Sequence, residues 1–186
     1  MASKWTVSAV HLLSSVAVMT TVAAPTAQPD ANRLPLHSVF PQGYEAMLNL
    51  QTTIGAGPID PFVSELVKLR ASQLNGCAYC IDMHTKDARA LGETEERMHM
   101  VAAWRESPGF TPRERVALAL CEAITLVTEG HVPDDVWDAA AAEFDPEELM
   151  CLVWECIAIN SWNRACIATR AVAGQYRSRH QPVART

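Results

Sequence analysis

The 186-residue sequence contains no long run of basic residues, and its formal net charge at pH 7 is −6. Proteins that bind nucleic-acid phosphates or anionic lipid headgroups concentrate Lys and Arg on one surface or segment. We therefore expect neither nucleic acids nor membranes among the partners of this chain. The sequence also lacks internal repeats and any sustained apolar-polar alternation of period two, so β-strands are not expected.

The composition is that of a globular protein. Hydrophobic residues make up 49% of the chain and charged residues only 19%. At this length the chain can build one domain with a substantial core. Glycine and proline cluster at a few positions, as expected when they separate helices. The sequence therefore predicts a single all-α domain.

The N-terminal segment differs in character from the rest. Lys4 precedes a mostly apolar run from Trp5 to Ala24, which resembles a secretory signal. Polar residues interrupt this run, and it is too short for a convincing transmembrane helix. We expect a cytoplasmic protein, with a secretory or organelle-targeting N-terminus as the alternative. The expected division is an N-terminal extension over residues 1–35, a folded domain over 36–176 and a C-terminal tail over 177–186.

Helix boundary signals are present from about residue 47 onward. Asp60 followed by proline is a typical helix start, and Asn75-Gly76 is a typical break, so one helix is expected between them. The next helix is expected to begin at about Cys77 and to end at Leu91, just before a glycine. Further helices are expected over residues 94–104, 112–129, 134–144 and 146–173. The last of these is apolar nearly all round, which predicts a central position or cover by another subunit, and hence an oligomer.

The six cysteines fall into two classes. Cys77 and Cys80 form a close pair, which in a chain of this size indicates redox or metal chemistry rather than a structural disulfide. The other four lie in apolar helical segments, where free cysteine behaves as a small buried hydrophobe. These four are Cys121, Cys151, Cys156 and Cys166.

Cys77, Cys80 and His84 occupy positions 0, 3 and 7 of one predicted helix and therefore share a face. Both cysteines lie in its first turn, where unpaired N–H groups and the helix dipole favour a thiolate. His84 is placed to exchange a proton with them. In an antiparallel hairpin about Asn75-Gly76, Glu65 lies about 16 Å from the turn and His84 about 13 Å, so the two are roughly level. A partly buried Glu65 could orient the imidazole and hold a water near the thiol.

The pattern Glu-x₁₁-Cys-x₂-Cys-x₃-His over residues 65–84 resembles the core motif of the alkylhydroperoxidase AhpD-like family, within the carboxymuconolactone decarboxylase-like superfamily. The flanking sequence resembles the family as well, and the resemblance extends over about residues 38–174. The matching flanks are Lys68–Ser72, Asn75–Cys80, Ile81–Thr85, Ala103–Glu106 and Asn160–Arg164.

The resemblance implies a helical domain with a single repeat, assembled as homotrimers or homohexamers, that needs no bound cofactor. It also implies an antioxidant peroxidase that reduces alkyl hydroperoxides. Cys80 would attack the peroxide and become a sulfenic acid, and Cys77 would resolve it to a redox-active disulfide. Glu65 and His84 would relay protons, and an external dithiol would reduce the pair.

One position departs from the family pattern. The residue before the second cysteine is Tyr79, where a well-studied branch of the family has a further relay histidine. This difference predicts weaker peroxidase activity. The decarboxylase branch lacks the cysteine pair, so lactone decarboxylation is not expected.

Two alternatives to an enzyme remain open from the sequence. A non-catalytic redox sensor or stress-response protein would form the same disulfide without turnover. A zinc-binding structural domain could use Cys77, Cys80, His84 and Glu65, although a further cysteine or histidine pair is not nearby in the sequence.

Several other polar residues are expected to have structural roles. Asp82 is expected to be a solvated acid. The segment Trp162-Asn163-Arg164 is expected to provide helix packing with a buried polar bridge, in preference to substrate contact. Four histidines are expected at the surface or at helix caps, and they are His37, His99, His131 and His180.

Overall fold

The computed structural model of the protein describes residues 32–180, and within them the regular structure is helical with no strand. The apolar run from Trp5 to Ala24 and the last six residues lie outside the described part. No described helix combines the length and apolar character needed to cross a bilayer. The helices are α1 (Leu36–Val39), α2 (Pro41–Gly55), α3 (Pro61–Asn75), α4 (Ala78–Leu91), α5 (Glu95–Met100) with a 3₁₀ turn over Val101–Ala103, α6 (Pro112–Thr125), α7 (Asp134–Glu143) and α8 (Pro146–Thr169).

Local capping interactions define most helix starts, as the sequence predicts. The Asp60 carboxylate accepts hydrogen bonds from the N–H groups of the second and third residues of α3. Thr111 and Asp145 each form a capping box, with Glu114 and Glu148 respectively. Each such cap is worth about 1 kcal/mol to the helix that it begins.

Three helices end earlier than their sequence signals indicate. Helix α5 ends at Met100, α6 at Thr125 and α8 at Thr169. At the end of α8, Arg170 adopts a left-handed backbone (φ 56°) and its N–H and that of Ala171 bond back to the last turn. The helix therefore ends without a glycine, and the sequence has no local signal for that stop. At the end of α6, Leu126 leaves the helical region (ψ 36°) and begins a run of turns.

The N-terminal part of the domain contains more helix than the sequence signals predict. Helix α2 begins at Pro41, about six residues before the first recognised helix signal, and the four-residue α1 precedes it. Pro41 occupies the first helical position, where its missing N–H leaves no bond unmade. Helices α1 and α2 matter because they cover one side of the cavity described below.

Helix α3 lies at the centre and packs against α4, α6 and α8. One face of α3 places Val63, Val67 and Ala71 in an apolar cluster with α6, α7 and α8. The neighbouring face places Leu66 and Leu69 in a second cluster with α4, α6 and the segment around the 3₁₀ turn. These leucines are almost fully buried, so truncation of either to alanine should cost about 2–5 kcal/mol.

One side of helix α8 is buried in the core, and another side is exposed to solvent. Its inner side includes the fully buried Leu152 and Ile159, whereas Met150, Trp154 and Ile157 form an exposed stripe at spacings of four and three. The near-uniform hydrophobicity of this helix is therefore only partly explained by the core of one chain.

Candidate active site

The α3–α4 hairpin positions the predicted site residues. Gly76, with φ 68°, forms the left-handed turn between the helices, a conformation that glycine adopts without steric cost. The turn brings Glu65 on α3 level with His84 on α4, as the sequence geometry predicts. His84 Nδ1 lies 2.9 Å from Glu65 Oε2, and both side chains are buried, with 5% and 4% exposure. Glu65 therefore contacts the imidazole directly and is more deeply buried than expected.

Lys68 forms a buried ion pair with Glu65. Its Nζ lies 2.5 Å from Glu65 Oε1, and the lysine side chain is only 12% exposed. Burial by itself would lower the pKa of Lys68, but the charges of Glu65, Glu155 and Asp87 raise it above the usual value. Lys68 is therefore a buried cation among several carboxylates.

The pKa of Glu65 follows from the same neighbours. Burial alone would raise this pKa, but the hydrogen bond and charge of His84, together with Lys68, lower it to about 2. An ionised carboxylate only accepts hydrogen bonds, so the facing Nδ1 of His84 carries a hydrogen. The other ring nitrogen, Nε2, is buried and has no hydrogen-bond partner among the described residues. Nε2 is thus the ring atom that can take or give a proton.

The cysteine pair lies at the start of α4. Cys77 is the capping residue, and its sulfur accepts a hydrogen bond from the Cys80 N–H at 3.3 Å. The two sulfurs are joined as a disulfide, and the Cα atoms are 5.3 Å apart, within the range for such a bond. Both cysteines are buried, at 1% and 0% exposure.

Cys80, His84 and Glu65 share the wall of a cavity of about 560 Å³, whereas Cys77 lies outside that wall. Lys68 and Asp87 add further charged groups to the polar side of the cavity. The other walls are mainly apolar and aromatic. They come from the residues just before α1, from α1, α2, α4 and α8, and from the segment after α8. They include Leu34, Leu36, Tyr44, Leu48, Tyr79, Met83, Trp162 and Val172.

Four residues near the site were not predicted to belong to it. Lys68 and Asp87 lie on the helices that carry Glu65 and His84, and their spacing by three residues was the available signal. Tyr176 is the last residue of the predicted domain and was given no role at the site, yet its hydroxyl donates to both Asp87 oxygens. Cys166 is buried, as expected of a core cysteine, but its sulfur lies within 4.8 Å of the Cys77 and Cys80 sulfurs.

The zinc alternative loses its predicted ligand set. In the described part of the chain, His, Cys, Asp and Glu ligand atoms that lie within 4.8 Å of one another in sets of three or more form two separate groups. One group is Cys77, Cys80 and Cys166, and the other is Glu65, His84 and Asp87. The four residues expected to share a zinc ion are thus divided between two places, because Glu65 and His84 meet farther from the Gly76 turn than the disulfide does.

The polar bridge expected around Asn163 is confirmed. Asn163 is fully buried, accepts a hydrogen bond from Asn75 at 2.9 Å and donates to the Ser72 hydroxyl at 3.0 Å. This bridge joins α8 to the end of α3, directly beside the cysteine-bearing turn. Trp162 differs from expectation, because it lines the cavity and meets Tyr44 edge-on at 5.5 Å.

Asp82 and two histidines have more contacts than predicted. Asp82 pairs with Lys86 and accepts a hydrogen bond from the Gly174 N–H at 3.0 Å, so it anchors the segment after α8 rather than only facing water. His37 and His180 are exposed, as expected, but both border the cavity.

Comparison with known proteins identifies relatives of the whole helical domain. The sequence model of the carboxymuconolactone decarboxylase family matches residues 41–123, from the start of α2 into α6. The uncharacterised protein YdfG of Bacillus subtilis is 41% identical over 138 residues, which are 74% of this chain and 94% of YdfG.

Solved structures share the fold. A protein of unknown function from Agrobacterium tumefaciens, ATU0492, described as a candidate antioxidant defence protein AhpD, superposes with a TM-score of 0.76 at 33% identity. The match covers 78% of this chain and all of that one. The debrominase Bmp8 superposes with a TM-score of 0.64 over 73% of each chain, but at 18% identity it shows the fold alone.

The family match begins at α2, includes the whole α3–α4 hairpin and is accompanied by a relative that this chain covers almost end to end. This protein therefore belongs to the carboxymuconolactone decarboxylase family and is one of its AhpD-like members.

Proposed function

We propose that the protein is a thiol peroxidase that reduces organic hydroperoxides through Cys80 and Cys77. The observation that carries the proposal is the shared cavity wall: Cys80 and the buried Glu65–His84 pair border one cavity whose other walls are mainly apolar and aromatic. A nucleophilic sulfur, a proton donor and room for an organic substrate are the parts that this reaction needs.

In the first step the Cys80 thiolate attacks the terminal oxygen of the hydroperoxide. The O–O bond breaks, an S–O bond forms, and the departing alkoxide takes a proton to leave as an alcohol. His84 Nε2 is the proposed source of that proton, which it takes from the Cys80 thiol when the thiolate forms, with Glu65 holding the ring through Nδ1. Cys80 is then a sulfenic acid, oxidised by two electrons.

In the second step the Cys77 thiolate attacks the sulfur of the Cys80 sulfenic acid. The S–O bond breaks, the oxygen leaves as water after protonation, and the Cys77–Cys80 disulfide forms. Cys77 has the better position for this resolving role because it caps α4 outside the cavity wall. An external dithiol then reduces the pair by exchange and is itself oxidised to a disulfide.

The test is stopped-flow consumption of tert-butyl hydroperoxide by the reduced protein, with free thiols counted before and after. We expect one peroxide to be consumed for two thiols lost, and no consumption by the Cys80→Ser variant. Cys151→Ser is the matched control, because this half-buried cysteine lies on α8 outside the cavity wall. If Cys80→Ser keeps the wild-type rate, the proposal is wrong.

Turnover separates an enzyme from a redox sensor. With dithiothreitol as the reductant, the enzyme should consume many equivalents of peroxide per chain. A sensor would form the same disulfide once and then react no further at a useful rate.

We also propose that the chain assembles into a homotrimer or homohexamer. The exposed stripe of Met150, Trp154 and Ile157 supports this, because contiguous apolar surface on a helix is commonly covered by another subunit. Light scattering of the purified protein measures the assembly directly, and a monomer at micromolar concentration would contradict the proposal.

A further inference from the structure

Three cysteine sulfurs lie together beside the cavity. The sulfur of Cys166, from the last turns of α8, is within 4.8 Å of both sulfurs of the Cys77–Cys80 pair. The three residues form their own buried cluster, with Tyr79 and Ala171 packed against it. Formation of a disulfide between Cys166 and either of the other two would require rotation of a cysteine side chain from this separation into bonding distance.

The three sulfurs are not equivalent with respect to the cavity. Cys80 and Cys166 both border it, and Cys77 does not. A sulfenic acid formed on Cys80 would therefore have two thiols beside it, Cys77 at the helix start and Cys166 in the same cavity wall.

We propose that Cys166 is a second resolving thiol, which captures the Cys80 sulfenic acid whenever Cys77 has not done so. This inference rests on the proposed peroxidase function. It assigns Cys166 a protective role, because a sulfenic acid that stays unresolved is exposed to a second peroxide and to irreversible oxidation to the sulfinic acid.

The chemical step is a condensation. The Cys166 sulfur attacks the Cys80 sulfur, the S–O bond breaks, and the oxygen leaves with two protons as water. Formally the Cys166 sulfur is oxidised by one electron and the Cys80 sulfur is reduced by one, so the step needs no outside oxidant or reductant. Attack of the Cys77 thiolate on Cys80 then yields the Cys77–Cys80 disulfide and releases the Cys166 thiolate, which takes a proton.

The environment of Cys166 explains why it would act second. Burial raises the pKa of the Cys166 thiol to about 11, so the thiol stays almost entirely protonated at pH 7. Cys77, in contrast, caps α4, where a thiolate is favoured. Cys77 therefore resolves the Cys80 sulfenic acid in the normal cycle, and Cys166 reacts with it only when it persists.

The experiment compares two variants of the full chain, Cys77→Ser and Cys77→Ser/Cys166→Ser. Serine is a preferred helix-capping residue, so the first substitution should preserve the start of α4. Each reduced protein is treated with one to ten equivalents of tert-butyl hydroperoxide, then alkylated and digested with trypsin. A Cys80–Cys166 disulfide would link the peptides 71–86 and 165–170, which mass spectrometry resolves.

We expect the linked peptide in Cys77→Ser, with Cys80 sulfinic acid at least roughly tenfold lower than in the double variant. Cys77→Ser/Cys151→Ser is the control, because it removes a cysteine outside the cluster and should behave like Cys77→Ser. Equal sulfinic acid in all three proteins, with no linked peptide, would overturn the proposal.

A second oxidant separates this inference from the proposed function. Diamide oxidises neighbouring thiols without peroxide chemistry, so it should link Cys80 to Cys166 in reduced Cys77→Ser protein. If diamide forms the link but the peroxide is not consumed, both the peroxidase proposal and the protective role of Cys166 are wrong. That result would support only the proximity of the Cys80 and Cys166 sulfurs. If diamide forms no link, the resolving role of Cys166 is wrong whatever the peroxide does.

Discussion

The Tyr176 hydroxyl donates hydrogen bonds to both carboxylate oxygens of Asp87, at 2.9 and 3.0 Å. Asp87 is buried one helical turn after His84, and its carboxylate lies within 4.8 Å of the Glu65–His84 pair. Burial and the bond to Asp87 raise the pKa of Tyr176 well above its usual value, so the phenol stays a donor at neutral pH. This contact holds the segment after α8 against α4, and both residues form part of one wall of the cavity.

Replacing Tyr176 by phenylalanine should remove the bond and leave the ring. A buried Asp87 without its donor should cost about 1–3 kcal/mol of unfolding free energy, measured by urea denaturation at pH 7. Tyr44→Phe is the control, since the Tyr44 ring packs on Trp162 at another wall of the cavity, and it should change stability by less than about 0.5 kcal/mol. Equal effects of the two substitutions would contradict the role given to the Tyr176–Asp87 bond.

Replacing Glu65 by glutamine should slow peroxide consumption by roughly ten- to several-hundredfold, because the amide cannot hold His84 as a carboxylate does. The measurement is the stopped-flow rate at saturating peroxide. Glu114→Gln is a matched control: it removes another largely buried carboxylate, paired with Arg97 away from the cavity. It should lower stability and leave the rate unchanged. If both variants react at the wild-type rate, Glu65 has no part in proton transfer.

The lowered pKa of Glu65 predicts how stability depends on pH. The folded value is about 2 and the ordinary value is 4.5, so the unfolded chain binds a proton first as the pH falls. The stabilisation from ionised Glu65 is therefore complete above about pH 4.5 and is lost as the pH falls toward 2, at about 1.4 kcal/mol per pKa unit. Urea denaturation of wild type and Glu65→Gln between pH 6 and 2.5 should show their difference shrinking. A constant difference over that interval would contradict the assignment.

Replacing Tyr79 by histidine should raise the peroxide rate severalfold near pH 7. Burial raises the pKa of Tyr79, so this phenol does not exchange protons readily at neutral pH, whereas an imidazole does. Tyr79→Phe is the control for the loss of the hydroxyl and should leave the rate unchanged. A slower Tyr79→His variant would show that the tyrosine itself assists the reaction.

Most of the helical architecture could be predicted from the sequence because helix-capping and periodicity signals are local. Asp60, Thr111 and Asp145 begin helices through bonds to residues two or three positions away, and such caps can be read from sequence alone. The common face of Cys80 and His84 likewise follows from helical periodicity. Even the level of Glu65 could be anticipated, since the Gly76 turn makes a hairpin of two helices of known rise per residue.

The end of α8 and the presence of α1 and the start of α2 could not be predicted from local sequence signals. Arg170 ends α8 in a left-handed conformation that glycine would signal and arginine does not. The segment that follows can leave the helix because Asp82, Lys86 and Asp87 on α4 bind its backbone and Tyr176. Those contacts join residues about 90 positions apart, so no local rule predicts them.

The sequence by itself therefore determined most helix starts from α3 onward and the spacing of Glu65, Cys77, Cys80 and His84, because caps and periodicity act within a few residues. The tertiary structure alone decided how deeply Glu65 and Lys68 are buried, and that Cys166 joins the cysteine pair while Tyr176 binds Asp87. The physical reason is that burial and pairing between distant segments depend on how α3, α4 and α8 pack together, and that packing is a property of the whole chain.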